Sequence, residues 1–295
     1  ASSRGNQDTA QIVDSLERMN VNMLFAIGGD GTLRGAQDVH DEITSRGDRI
    51  AVVGIPKTID NDLCCIEKSF GFETAFSKAC EAIRSANTEA LGAPNGIGLV
   101  KLMGRHSGYI TASAAVATGD ANIVLIPEIA FALDGDNGLL AYLHRRLERR
   151  KHAVILAAEG AGQDLIESFT HEHQVERDAS GNVRLLDIGL FLKQKISDYF
   201  RRVNMEINLK YIDPSYMIRS IPANASDSVY CAQLAHHAVH AAMAGKTGMV
   251  VGRWNNTFTH VPIKMVVSRR NTLDPRSQLW LDVLESTGQP ERFGG

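Results

Sequence analysis

Two acidic clusters lie thirty residues apart: Gly28-Gly29-Asp30-Gly31-Thr32 and Pro56-Lys57-Thr58-Ile59-Asp60-Asn61-Asp62. In the first, glycines let a backbone approach a phosphate without a β-carbon in the way. A helix starting there would turn its free amides and positive dipole end toward that anion. Asp30 offers the hard carboxylate oxygen that Mg²⁺ prefers. The same five residues can equally form a plain strand-to-helix turn with Asp30 as its N-cap. The second cluster is harder to read as a turn alone, because Lys57 beside two acids is a costly grouping unless it meets charged ligands. An aspartate such as Asp60 could take a proton from a substrate hydroxyl, with Mg²⁺ nearby keeping its carboxylate ionised. Lys57 could neutralise a transferring phosphoryl group, and Asp62 could assist the metal.

Each cluster follows an apolar, strand-like run, Asn22–Ile27 and then Ile50–Ile55, with a helix-like segment carrying Leu33, Ala36, Val39 and Ile43 between them. A strand–helix–strand crossover makes the two strands parallel. Parallel strands end at one sheet edge, so Asp30, Asp60 and Asp62 are expected at the carboxyl edge, where open α/β sheets bind ligands. Further strand-like runs fall near 97–102, 122–126, 153–158, 206–212 and 247–252. Helical patterns cover roughly 32–46, 72–90, 108–118, 135–150, 187–203 and 227–244, with another around Ile12, Val13, Leu16 and Met19. The alternation predicts an α/β fold of two Rossmann-like lobes with mainly parallel sheets. The polar stretch 160–182 reads as an insertion or long loop.

The 295 residues suffice for one large or two medium domains. With 44% hydrophobic and 22% charged residues and a formal net charge of −3, nothing in the totals favours nucleic acid or an anionic membrane as partner. No apolar run approaches a bilayer span, and no signal peptide is visible. Cys64, Cys65, Cys80 and Cys231 have neither a disulfide framework nor paired metal-ligand spacing, which makes a reducing cytoplasm the default compartment. The chain opens without Met, and its first clear strand arrives only near residue 22, so an upstream portion is expected.

The pairing of the two clusters, followed by Lys101-Leu102-Met103-Gly104-Arg105-His106-Ser107-Gly108, resembles the phosphofructokinase family. Pro127-Glu128, Ala158-Glu159-Gly160 and Tyr211 through Arg219 extend the resemblance over nearly the whole chain, closest to the clade of longer subunits in plants, trypanosomes and some bacteria. The resemblance implies ATP-dependent phosphorylation of fructose 6-phosphate at its 1-hydroxyl, a step of glycolysis, with Mg²⁺. Asp60 then matches the general base, with Lys57 and Arg105 as cationic stabilisers and Asp30 as the metal ligand. Gly29, Gly31 and Thr32 match nucleotide-phosphate contacts, and Arg4 and Gly5 a second nucleotide-binding pair. Thr58, Ile59, Asp60, Met103, Gly104, Arg105, Glu159, Tyr216, Met217, Ile218 and Arg219 match the sugar-phosphate site. Residues 1–72 with about 223–262 are expected to form the nucleotide lobe, and 73–222 with about 263–295 the sugar-phosphate lobe. Gly31 resembles ATP users, since pyrophosphate users carry Asp there; Lys57 occurs in both.

The resemblance also implies a homodimer or homotetramer. The family's first glycine-rich nucleotide loop has no counterpart here, and roughly a hundred residues or more are expected before Ala1, beyond the usual domain scale. Gly96 and Lys210 replace arginines that reach a neighbouring subunit in short bacterial enzymes, which counts against their type of allosteric control. The alternatives are a pyrophosphate-dependent enzyme, a catalytically incomplete fragment or regulatory subunit, or a lipid- or NAD-directed kinase that shares the first motif only.

Four features lie outside this assignment. His236, His237 and His240 share a helix, and read as an exposed polar face or a metal site. The run Arg145, Arg146, Arg149, Arg150 and Lys151 reads as a solvated face or an anion site. Cys64 and Cys65 read as inert thiols or a redox pair. His106, inside the 104–108 turn, fits a structural or a substrate-facing role.

Overall fold

The structure is a computed structural model describing residues 8–170 and 185–294. The chain opens with α1 (Thr9–Arg18), β1 (Met23–Gly28), α2 (Asp30–Arg46) and β2 (Ala51–Pro56). Next come α3 (Phe72–Leu91), β3 (Gly96–Leu102), α4 (Tyr109–Thr118), β4 (Ile123–Leu125), α5 (Leu139–Arg150), β5 (His152–Ala158) and α6 (Gln163–Thr170). After α7 (Ile188–Arg202), β6 (Asn208–Ile212) and α8 (Ser215–Arg219) it continues through α9 (Ala225–Met243), β7 (Met249–Trp254), β8 (Thr257–Pro262), α10 (Ile263–Val266) and α11 (Gln278–Thr287). The described residues form two units, 8–74 with 223–271 and 75–170 with 185–222 and 272–294.

The first unit holds a sheet of order β1-β2-β7-β8, in which β1, β2 and β7 run parallel and β8 pairs antiparallel with β7. Leu33, Ala36, Val39 and Ile43 fall on one face of α2 and bury against Val52 and Val250. Val53, Ile55 and Val251 meet Tyr230, Leu234 and Ala238 of α9 in a second cluster. The second unit's sheet, β4-β5-β3-β6, is wholly parallel. Its central strands β3 and β5 are buried almost throughout, the continuous apolar run expected of a covered parallel sheet. The fold is thus α/β with mainly parallel sheets, as the alternating pattern predicts.

The differences have physical reasons. The hairpin strand β8 is absent from the sequence prediction, although Asn255 and Asn256 take φ of 45° and 63°, the two left-handed residues of a tight hairpin turn. The pattern over 135–150 overreaches, since Gly135 (φ 92°) and Gly138 shape a turn and the helix starts at Leu139. Residues 163–170, read as loop, form α6; the rest of that stretch, from 171 to 182, lies outside the described residues. Residues 263–271 stay with the first unit, rather than the second as expected, because Ile263, Val266 and Val267 join the cluster under α2.

Candidate active site

Registration of β1 against β2 pairs Gly28 with Pro56, so the two acidic turns leave the sheet side by side at its carboxyl edge. The Lys57 amide donates to the Gly28 carbonyl at 2.9 Å and ties the turns together. Gly29, not Asp30, is the N-cap of α2; Asp30 is the helix's first residue, its charge at the positive end of the dipole. One Asp30 carboxylate oxygen accepts from Arg34 Nε at 3.0 Å and lies 3.9 Å from Arg270 Nη2. Arg270 Nη1 lies 3.7 Å from Asp62 Oδ2, so one guanidinium stands between the two carboxylates. Gly31 and Thr32 are exposed on the first turn of α2.

The second turn is built around a residue the sequence reading left without a role. Asn61 is buried at φ 53°, its Oδ1 accepting from the Ser69 amide (2.8 Å) and hydroxyl (3.0 Å) while its Nδ2 donates to Glu67 O (3.2 Å). Asparagine tolerates this left-handed conformation better than most residues. Its two neighbours are held in turn: Thr58 Oγ1 accepts from the Asp60 amide at 3.2 Å and donates to Asp62 Oδ1 at 3.3 Å. Asp62 is buried, Thr58, Ile59 and Asp60 are half-buried, and Lys57 is exposed.

In the second unit, the turn after β3 is zipped to the turn after β5. Glu159 N donates to Leu102 O at 2.8 Å, and Gly160 N to Gly104 O at 3.1 Å. Gly104 needs its φ of 130°, and a β-carbon on Gly160 would fall 2.0 Å from the Arg105 carbonyl oxygen. The close approach sets half-buried Arg105 and Glu159 on adjoining turns at one carboxyl edge. A pocket of about 790 Å³ opens there, lined by Arg105, His106, Glu128, Gly160, Gln163 and Asp274 among others. Glu128 Oε1 accepts from Gly108 N (2.9 Å) and Leu273 N (2.7 Å), which fastens the 104–108 turn to the 272–275 segment. Burial pushes its carboxyl up, and those amides offset only part of the effect.

Of the remaining candidates, Met103 and Ile218 have buried side chains, and Tyr216, Met217 and Arg219 are exposed on α8. Arg4 and Gly5 lie outside the described residues. His237 stacks on Phe258 with ring centroids 4.2 Å apart, and among the described residues no group of three potential ligands could hold a metal. Arg145 donates to Asp136 O and Arg146 to His152 O, so two members of the basic run serve local structure.

Lys101, quoted in the motif but given no task by the sequence reading, organises α8. Its Nζ lies 2.7 Å from Asp187 Oδ2 and 2.8 Å from Asp213 Oδ2, and Asp213 Oδ1 accepts from the Ser215 amide that opens α8. Burial alone would push both carboxyls up, but Lys101 holds them below their usual range. Burial would lower Lys101, and the two aspartates raise it instead. The carboxylate contribution is therefore present above about pH 4 and lost as pH falls through the lower folded values. The lysine contribution is present below about pH 10.4 and lost as pH rises through its folded value. Lys101→Met is expected to cost ~2 kcal/mol at pH 7, a figure reduced from a fully buried pair because both aspartates are about one-third exposed. In denaturant titrations the deficit should shrink as pH falls below about 4 and through the lowered folded values of the two carboxyls; a pH-independent deficit would assign it to packing.

The comparisons with known proteins agree with this geometry. The family model Phosphofructokinase matches residues 1–242. The chain is 55% identical to an ATP-dependent 6-phosphofructokinase of Borreliella burgdorferi over 98% of its own length and 65% of the relative's. It is 52% identical to that of Amycolatopsis methanolica (99% and 64%) and 49% identical to that of Trypanosoma cruzi (97% and 58%). The chain thus spans less than two thirds of each of these relatives. Among solved structures, a pyrophosphate-dependent phosphofructokinase of Marinobacter aquaeolei superposes with a TM-score of 0.75 at 19% identity, covering 100% of this chain and 74% of that one, a likeness of fold. A family match across most of the chain, relatives identical at half their aligned positions and the same fold place this chain in the phosphofructokinase family.

Proposed function

We propose that the protein is an ATP-dependent 6-phosphofructokinase, transferring the γ-phosphoryl group of ATP to the 1-hydroxyl of fructose 6-phosphate. The observation that carries the reading is the β1–β2 register, which brings the Asp30 turn and the Asp60–Asp62 turn abreast at one sheet edge. Phosphoryl transfer needs little covalent help from protein; it needs positioning and charge stabilisation, and these turns supply acid, base and cation together.

In the first unit, Asp60 accepts the proton of the attacking hydroxyl while Lys57 faces the charge on the transferring group. Gly29, Gly31 and Thr32 present the amino end of α2 to nucleotide phosphates, with Arg4 and Gly5 assigned to the same nucleotide. Asp30, partly exposed, fits the hard oxygen donor that Mg²⁺ requires, and Asp62 stands across the Arg270 guanidinium from it. Mg²⁺ characteristically takes one or two protein carboxylates and completes its shell with phosphates and water, and this donor set matches that habit. When bound, the ion neutralises phosphate charge. In the second unit, Arg105 is assigned as a cationic stabiliser and substrate contact, Arg219 offers a planar fork of donors for the sugar 6-phosphate, and Glu159 accepts from sugar hydroxyls. Met103, Gly104 and Tyr216 through Ile218 add the second unit's sugar contacts, the buried ones through their backbone, and Thr58 and Ile59 are assigned sugar contacts on the first unit. We assign the two units nucleotide and sugar-phosphate roles accordingly.

The protein would work in the cytoplasm as a homodimer or homotetramer. Its four free cysteines suit a reducing compartment, and among the described residues no helix is long and apolar enough to cross a membrane.

The test assays the complete gene product and this chain side by side with fructose 6-phosphate, Mg²⁺ and either ATP or pyrophosphate. Turnover by the complete product with ATP is expected. Turnover with pyrophosphate only would overturn the donor, and turnover with neither would overturn the reading.

A further inference from the structure

Asp62 is followed, two residues on, by a vicinal thiol pair that the kinase reading does not use. Cys64 Sγ and Cys65 Sγ lie 3.3 Å apart, and Arg269 Nε donates to Cys64 Sγ at 3.4 Å. Cys65 holds a left-handed φ of 60°, a backbone conformation that strains a non-glycine residue. Cys64 is buried, Cys65 is half-buried and Arg269, whose Nε meets Cys64 Sγ, is exposed. A guanidinium on one sulfur, with a second sulfur already in contact, is the arrangement of an activated thiol with its resolving partner.

We propose that Cys64 and Cys65 form a hydroperoxide-sensitive modification site, with Cys64 as the attacking and Cys65 as the resolving thiol. The Cys64 thiolate attacks one oxygen of hydrogen peroxide; the O–O bond breaks, the departing hydroxide takes up a proton as water, and Cys64 is left as sulfenic acid. The Cys65 sulfur then attacks that of Cys64; the S–O bond breaks, a second water leaves with the Cys65 proton, and an S–S bond forms. Two thiols lose two electrons and the peroxide gains them. Consecutive α-carbons are about 3.8 Å apart, shorter than most disulfides span, so the product is strained and readily reduced by thiols.

The other cysteines provide an internal contrast. Cys64 Sγ has both a guanidinium donor, Arg269 Nε, and a second sulfur, Cys65 Sγ, within reach. Cys80 and Cys231 are both pushed up by burial, and no second thiol bonds to either.

The site is wired to the carboxylates. Leu63 bridges Arg270 across an antiparallel pair, Asn271 N donates to Asp62 O at 2.8 Å, and Arg270 stands between Asp30 and Asp62. Oxidation removes the thiolate that anchors Arg269 and loosens the segment 269–271. Any effect on phosphoryl transfer rests on the kinase reading; the thiol chemistry does not.

The test treats the protein with hydrogen peroxide, blocks free thiols after denaturation with N-ethylmaleimide and maps the peptides. The Cys64–Cys65 peptide should lose both thiol hydrogens and escape labelling before Cys80 or Cys231 does, with dithiothreitol restoring it. Arg269→Gln should slow this oxidation about 10-fold, because the attacking sulfur loses its guanidinium partner. Cys65→Ser should stop at a Cys64 sulfenic acid that dimedone traps, which keeps the assignment testable if the arginine variant folds poorly. Earlier oxidation of Cys231 or Cys80, or dimedone trapping at neither thiol, overturns the proposal. Hydrogen exchange at the Asn271 amide should accelerate in the oxidised protein; unchanged protection overturns the coupling alone. None of these readouts uses kinase activity, so failure of the kinase reading is seen separately.

Discussion

Asp60→Asn is expected to lower turnover with ATP and fructose 6-phosphate about 1000-fold while leaving both KM values within about threefold. General-base catalysis by a positioned carboxylate contributes ~10²–10⁴-fold, and the amide cannot accept the hydroxyl proton. Binding should survive because bonds other than those of the Asp60 carboxylate hold the loop. Its backbone amide is held by Thr58 Oγ1, the adjacent Asn61 is pinned to Ser69 and Glu67, and the replacement has nearly the same shape. A loss confined to kcat marks an interaction made only in the transition state. Steady-state kinetics with a matched thermal unfolding curve check this. An unchanged kcat would remove Asp60 from the role of base, and a rise in KM alone would reassign it to substrate binding.

Gly31→Asp is expected to cut kcat/KM for ATP by about 100-fold or more without loss of stability. A β-carbon at Gly31 meets nothing within 4 Å, and the residue lies in the first turn of α2. An acid there interacts favourably with the helix dipole, and aspartate is a better helix residue than glycine. The cost falls instead on the ligand. The new carboxylate would face nucleotide phosphate, and like charges in contact cost several kcal/mol. The variant is assayed with ATP and pyrophosphate beside its melting curve. Undiminished ATP use with a normal melting temperature would show that the open space at Gly31 is not where the nucleotide lies. A collapsed melting temperature would contradict the fold argument.

The second unit rests on a different device. Lys101 and Glu128 each join segments distant in sequence, Lys101 by charge and Glu128 by accepting two backbone amides. Neither needs to touch a ligand to matter. The first holds the residue that opens α8, the helix that carries Arg219, and the second holds the turn that carries Arg105.

The sequence by itself determined the α/β class, the strand–helix–strand unit and the two acidic turns at one edge. The reason is local: continuous apolar strands, a 3-to-4-residue apolar spacing on α2 and glycine-rich turns each reveal their structure within about ten residues. Gly104 and Gly160 were legible only as motif letters, and their backbone contact explains why those letters stand there. Missed entirely were Arg270 between Asp30 and Asp62, the Arg269–Cys64 contact and the alignment of 263–271 with the first unit. Each pairs residues some two hundred positions apart, and an arginine near the chain's end carries no mark of the partner it will meet. Only the return of the chain through α9, β7, β8 and α10 brings that late segment back beside residues 60–65. Tertiary structure alone decided which charge faces which carboxylate, because that choice is made by packing across the sheet rather than by any spacing along the chain.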